Sequence, residues 1–148
     1  MRLGILLIVL ALLAGCGGDG TDESGPLNRA EYTRLANEIC ETADRKLADL
    51  GDFKSFEQLS EQMKVGEAAL RTAAKDLRAL QPPAKLLADH RQLADLQAET
   101  ADVARRISAA AKKNDQIEMQ TQAQRADKLT ISANETARKL GLDDCVAG

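Results

Sequence analysis

Few side chains in this 148-residue sequence could do covalent or acid–base chemistry: three cysteines (Cys16, Cys40, Cys145), one histidine (His90) and the serines Ser24, Ser55, Ser60, Ser108 and Ser132. A lone imidazole needs partners at helical spacing to hold a metal or to act as a general base. Glu-x-x-His is absent, because Leu87 stands where the glutamate would be, and a single histidine rules out His-x-x-x-His. Asp89 and Asp95 are nearby but are ordinary acids of a helical surface. His90 is therefore expected as a buried or boundary residue. No serine lies in Gly-x-Ser-x-Gly, and no Gly-x-Gly-x-x-Gly or Gly-x-x-x-x-Gly-Lys loop occurs. Asn134-Glu135-Thr136 matches a glycosylation sequon by chance, within a helical stretch. Met63 and Met119 are expected as core fillers rather than metal ligands. The expectation is no catalytic residue, no metal site, no cofactor and no enzyme.

The cysteines are more informative. Cys16 closes the run Leu13-Ala14-Gly15-Cys16, which follows an apolar stretch from Leu3 to Leu13, with Arg2 the only charge before Asp19. A basic start, a short apolar run and small residues at a cleavage point make a secretory signal. The run is too short to span a bilayer, which takes about 20 residues. The sequence around Cys16 resembles the lipobox of bacterial lipoproteins. That resemblance implies cleavage after Gly15, a diacylglyceryl group on the Cys16 thiol and acyl chains such as palmitate as a membrane anchor. The implied location is the extracytoplasmic face of the cell membrane. Gly17 stands where an aspartate would act as an inner-membrane retention signal in some bacteria.

With Cys16 assigned to lipid, Cys40 and Cys145 remain as an even pair of thiols in an oxidising compartment, which predicts a disulfide. There is no Cys-x-x-Cys and no neighbouring histidine, so a redox or metal pair is disfavoured. The bridge would close a loop of about 105 residues, worth roughly 4–5 kcal/mol by chain entropy. Three further segments carry a wider resemblance to small bacterial lipoproteins of actinobacterial type: Asn28-Arg-Ala-Glu-Tyr32 with Ile39-Cys40, Leu77-Arg-Ala-Leu-Gln-Pro-Pro-Ala84, and Gly141-Leu-Asp-Asp-Cys145. The resemblance implies an architecture and a disulfide, and no reaction.

Composition bounds the partners. With 20 basic and 23 acidic residues the chain carries a net charge of −3, which argues against nucleic acid. Tyr32, Phe53 and Phe56 are its whole aromatic set, too few for a stacking platform or an aromatic cage. Arg105-Arg106 with Lys112-Lys113 forms the one basic concentration, a possible dock for an acidic partner or a lipid headgroup.

The elements that must position these residues read as helices. Residues 1–15 are expected as signal peptide, 16–27 as lipidated cysteine and flexible linker, and 28–148 as a helical domain. The first helix is expected from Arg29 to Leu50, with Asn28 and Glu31 as a capping box, Leu27 stapled against Tyr32, and an apolar stripe of Tyr32, Leu35, Ile39, Ala43, Leu47 and Leu50. The second begins at Ser55, with Gln58 as box partner, and carries Phe56, Leu59, Met63, Gly66, Leu70, Ala73, Leu77 and Leu80 at alternating steps of three and four. Pro82-Pro83 ends it. The third restarts at Pro83 or Ala84 and carries Leu86, His90, Leu93, Leu96 or Gln97, Thr100, Val103, Ile107 and Ala110. The fourth runs from Gln116 to Leu140 on Met119, Ala123, Ala126, Leu129 or Thr130, Ala133, Ala137 and Leu140, and stops at Gly141. No β-sheet is expected.

Short connections make this an all-α, antiparallel up-down-up-down four-helix bundle, with a three-helix bundle and a peripheral first helix as the alternative. The functional expectation is a membrane-anchored, non-enzymatic interaction or scaffold module, with an envelope protein as its partner. The alternative is a small-ligand or lipid carrier that uses a cavity between helices.

Overall fold

A computed structural model describes residues 25–147. The residues expected as signal peptide, Cys16 and most of the expected linker lie outside the described residues. Those that are described form four long helices and no strand: α1 (Arg29–Ala48), α2 (Phe56–Ala79), α3 (Leu87–Lys112) and α4 (Gln116–Leu140). Among them no helix is long and apolar enough to cross a membrane.

Local chemistry sets the helix ends. The Asn28 side chain accepts from the Glu31 amide at 3.0 Å, and the Glu31 carboxylate accepts from the Asn28 amide at 3.3 Å. This reciprocal box satisfies two of the amides that a helix start leaves without intrahelical partners. Helix α1 ends two residues before the expected Leu50, and Gly51 then turns the chain at φ +60°. Ser55 caps α2 at 3.1 Å, but the Gln58 side chain reaches back to the Lys54 amide, one residue before the cap. Pro82-Pro83 ends α2, and a single 3₁₀ turn (Ala84–Leu86) precedes α3. Asp115 caps α4 through the Glu118 amide at 3.0 Å. Gly141, at φ +68°, stops α4 in the left-handed conformation that glycine adopts most cheaply.

Neighbouring helices run antiparallel. Arg78–Asp95 and Arg71–Asp102 ion pairs and a buried Ser60–Ser108 contact mark the α2–α3 seam from one end to the other. The exposed ion pairs contribute little. Helix α1 packs along α2, with its end over Gly66, and its start is tied to the α2–α3 connection by Leu27 N–H donating to the Gln81 carbonyl at 2.8 Å. Helices α1 and α4 meet mainly through the chain after Gly141. That segment folds back as a 3₁₀ turn (Asp143–Cys145) and packs against both. The fold is thus the expected four-helix bundle, with α1 part of it, and one seam filled by a tail.

The Cys40–Cys145 disulfide is formed, spans 105 residues and is buried, with Cys40 3% and Cys145 6% exposed. It belongs to a core that includes Tyr32, Ala36, Leu77, Leu93, Ala137, Leu140 and Leu142. The returning tail also brings Asp144 towards Asp44, whose carboxyl is pushed up, first by burial and then by that charge.

Two stripes face differently from expectation. The core face of α1 is Tyr32, Ala36, Cys40 and Ala43, with Leu35 and Ile39 half-buried on its flank. The helix is turned so that its smallest side chains meet the tail, where the disulfide requires close approach. In α4, Ala123 is exposed and Gln122 is buried in its place. An alanine seam has little area with which to set a helix's rotation.

Breaking the bridge with Cys145→Ser should lower unfolding stability by roughly 4 kcal/mol, and no more than about 5. Urea titration with and without reductant checks this, and an unchanged midpoint would show that the bridge does not hold the tail. At Gly66 an added Cβ would meet Leu47 at 3.4 Å and Leu50 at 3.8 Å, which is ordinary contact. Gly66→Ala should therefore stabilise the fold, by up to about 1 kcal/mol from helix propensity, read from the same titration.

Candidate functional site

His90 lies at the end of the bundle where α1 starts, α2 ends, α3 starts and α4 ends, while Ser55, Ser60 and Ser108 lie at the opposite end. Proline placement explains why. Pro82-Pro83 forces the turn between α2 and α3, so the first turns of α3 lie beside the last of α2, and His90 faces inward one turn after Leu86. The ring is buried, at 2% exposure. Its Nδ1 lies 3.2 Å from the Tyr32 hydroxyl, and the two rings meet edge to face with centroids 5.5 Å apart. Tyr32 is fully buried and comes from the first turn of α1.

Burial sets the protonation of this pair. The Tyr32 hydroxyl is pushed up to about 12 by desolvation; Arg29 opposes the shift and Asp89 adds to it. Burial pushes the His90 imidazole below its ordinary value, an interaction with the Leu77 carbonyl opposes this, and the Arg91 charge adds to it. Both groups are then neutral at neutral pH. Since Tyr32 can donate its O–H, Nδ1 is the acceptor and Nε2 carries the ring proton. The Leu77 interaction favours a proton on the ring, yet Nε2 is a buried donor without a hydrogen-bond partner. A neutral, enclosed imidazole braced by a phenol is a poor general base. Its evident role is to join α1 to α3.

A second tie lies close by. Arg29 Nη2 donates to the Leu140 carbonyl at 2.8 Å, satisfying one of the carbonyls left over at the end of α4. Outside the brace an open cleft of about 490 Å³ runs between the end of α2 and the start of α3, with Arg78, Leu80, Pro82, Leu87 and Arg91 around it and the His90 ring in its wall. A smaller slot of about 120 Å³ lies beneath the tail, between Leu47, Leu70, Gln97 and Thr130. Among the described residues no three His, Cys, Asp or Glu side chains come together as a metal site.

His90 lies where its position on the α3 stripe placed it, and Cys40 and Cys145 are joined. Cys16 lies outside the described residues. The sequence reading missed the Tyr32–His90 contact, because only the packing of α1 across α3 joins positions 58 apart. It also missed the buried Ser60–Ser108 pair. Ser108 donates to the Ser60 carbonyl at 2.9 Å and its oxygen lies 2.9 Å from the Ser60 hydroxyl. Two serines placed on the core side of neighbouring helices were the available signal.

Tyr32→Phe leaves the Nδ1 acceptor buried without a donor and should cost about 1–3 kcal/mol, measured by chemical denaturation. The depressed His90 value has a definite sign. Above about pH 6.5 the ring is neutral folded and unfolded; below it the unfolded chain takes a proton that the native ring resists. Stability is therefore full above that value and falls as the pH drops towards the lower native one, by at most about 1.4 kcal/mol per pH unit. His90→Gln should flatten that slope between pH 5 and 6.5. A wild-type curve already flat there would refute the assignment of a neutral, buried imidazole. No protein-family model matches the chain, and neither a curated protein nor a solved structure does.

Proposed function

We propose that the chain is a lipoprotein anchored through Cys16 to the extracytoplasmic face of the membrane, and that its helical bundle is a non-enzymatic interaction or scaffold module of the cell envelope. The observation that carries the reading is the buried Cys40–Cys145 bridge. A structural disulfide of this kind belongs to exported proteins, and export is what the residues around Cys16 call for. With Cys16 given to lipid, no thiol is left over.

The distribution of apolar surface supports an interaction role. Besides Val65 and Ile131 on the faces of α2 and α4, the exposed large apolar residues among those described are Phe53, at 51%, and Ile117, at 81%. Both lie at the end of the bundle made by the α1–α2 loop and the α3–α4 turn, opposite the end where the chain enters at Leu27. Phe53 and Phe56 line a common depression with Asn114 of the neighbouring turn. A tether at the N-terminal side would join the domain at the end opposite this apolar one. Protein interfaces are enriched in such aromatic groups at their cores.

Two measurements test the reading separately. Intact-mass analysis of the protein extracted from a producing bacterium should show residues 1–15 absent and a diacylglyceryl-bearing Cys16; Cys16→Ser should release the protein from the membrane fraction. A free thiol at Cys16 in membrane-extracted protein would overturn the anchor. Photo-crosslinking from position 53 in intact cells should then capture one discrete envelope protein, and Ile117→Asp should abolish the capture while leaving the unfolding midpoint unchanged. Capture of nothing in the presence of correct anchoring would overturn the interaction role.

A further inference from the structure

The cleft beside His90 has a composition that the brace does not need. Leu80, Pro82 and Leu87 give it an apolar wall, and Arg78, Arg91 and Asp95 also line it. At about 490 Å³ it falls within the roughly 300–1,000 Å³ of small-molecule sites. Its charges are unequal. Arg78 pairs with Asp95 at 2.7 Å, both lining the cleft, whereas Arg91 forms no ion pair among the described residues. With Arg78, Arg91 and Asp95 in its lining the cleft therefore holds one surplus positive charge next to apolar surface, and His90 borders it.

We propose that this cleft binds a monoanionic amphiphile, a carboxylate on an aliphatic tail, with the head on Arg91 and the tail along Leu80, Pro82 and Leu87. A single surplus charge matches a carboxylate better than a dianionic phosphate, and a guanidinium offers the two parallel N–H groups that a carboxylate accepts. The apolar wall favours a tail over a small, fully hydrated anion. Arg78 faces Asp95 across the same cleft, which leaves Arg91 as the cation without an ion pair among the described residues. The site is separate from the apolar end assigned to a protein partner and does not depend on the anchor.

The chain has one histidine, so a single imidazole signal reports from the cleft wall. The experiment uses the full chain with Cys16→Ser, so that no acyl chain of its own competes, and titrates decanoate below its micelle concentration while the His90 ring is followed by ¹⁵N-resolved NMR. Decanoate should bind saturably with one equivalent, shift the His90 signal and raise its titration midpoint, because a bound carboxylate favours the protonated ring. Acetate, which has the head alone, and decanol, which has the tail alone, should bind at least about tenfold more weakly. Arg91→Ala, at an exposed position, should bring decanoate down to the level of decanol, and Arg91→Lys should retain part of the difference. Unchanged decanoate affinity in Arg91→Ala, a His90 signal that stays still at saturation, or equal binding of decanol and decanoate would each overturn the proposal.

Discussion

The closure of α1 against α4 is the constraint on which the rest depends. Three of the four seams of this bundle are formed by helices that follow each other directly in the chain, so a short connection brings them together at little entropic cost. The fourth joins the first helix to the last. Its helices offer Ala36, Ala43, Ala133 and Ala137, which bury little area. The seam is closed instead by the tail, which places Leu142 and Cys145 between the two helices and bonds Cys145 to Cys40. A covalent tie over so long a loop acts mainly by restricting the unfolded chain, which is where a small alanine-rich domain has most to gain.

The polar groups of the core reinforce the same joint. Tyr32 and His90 connect α1 to α3, Arg29 connects α1 to the end of α4, and the Leu27 amide connects the entrance of the chain to the α2–α3 loop. All three ties act at one end, near the start of α1, and the disulfide adds a fourth about three turns along. The other end of the bundle has the Ser60–Ser108 pair inside and Phe53 and Ile117 outside. One end is thus braced and polar within, while the other is left with apolar surface for something else to cover. This asymmetry is the physical basis for proposing partner binding at the far end and a small amphiphile at the braced end.

The helix boundaries were largely legible in the residues. Asn28 with Glu31, Ser55, Gly141 and Pro82-Pro83 act over four or five residues, so each reads locally; the Asp115 cap went unread. The core face of α2 was legible for a related reason: Leu59, Leu70 and Leu77 have enough apolar area to dominate its rotation. Helix α1 was misjudged because its larger side chains, Leu35 and Ile39, lie on the flank, while the small Ala36 and Cys40 face the tail. In α4, alanines recur on several sides of the helix, and Gln122 takes a buried place that no apolar count would give it.

What the sequence by itself determined is the class of the molecule: four amphipathic helices and short connections that make them antiparallel. These follow from periodicity, capping chemistry and turn residues, all short-range properties. The tertiary structure decided which small residues face inward, that a tail rather than a helix contact fills the α1–α4 seam, and that a tyrosine of α1 meets the lone histidine of α3. Those outcomes depend on the rotation and offset of whole helices. Rotation and offset are set by the sum of many weak contacts across the core, and no local pattern carries that sum.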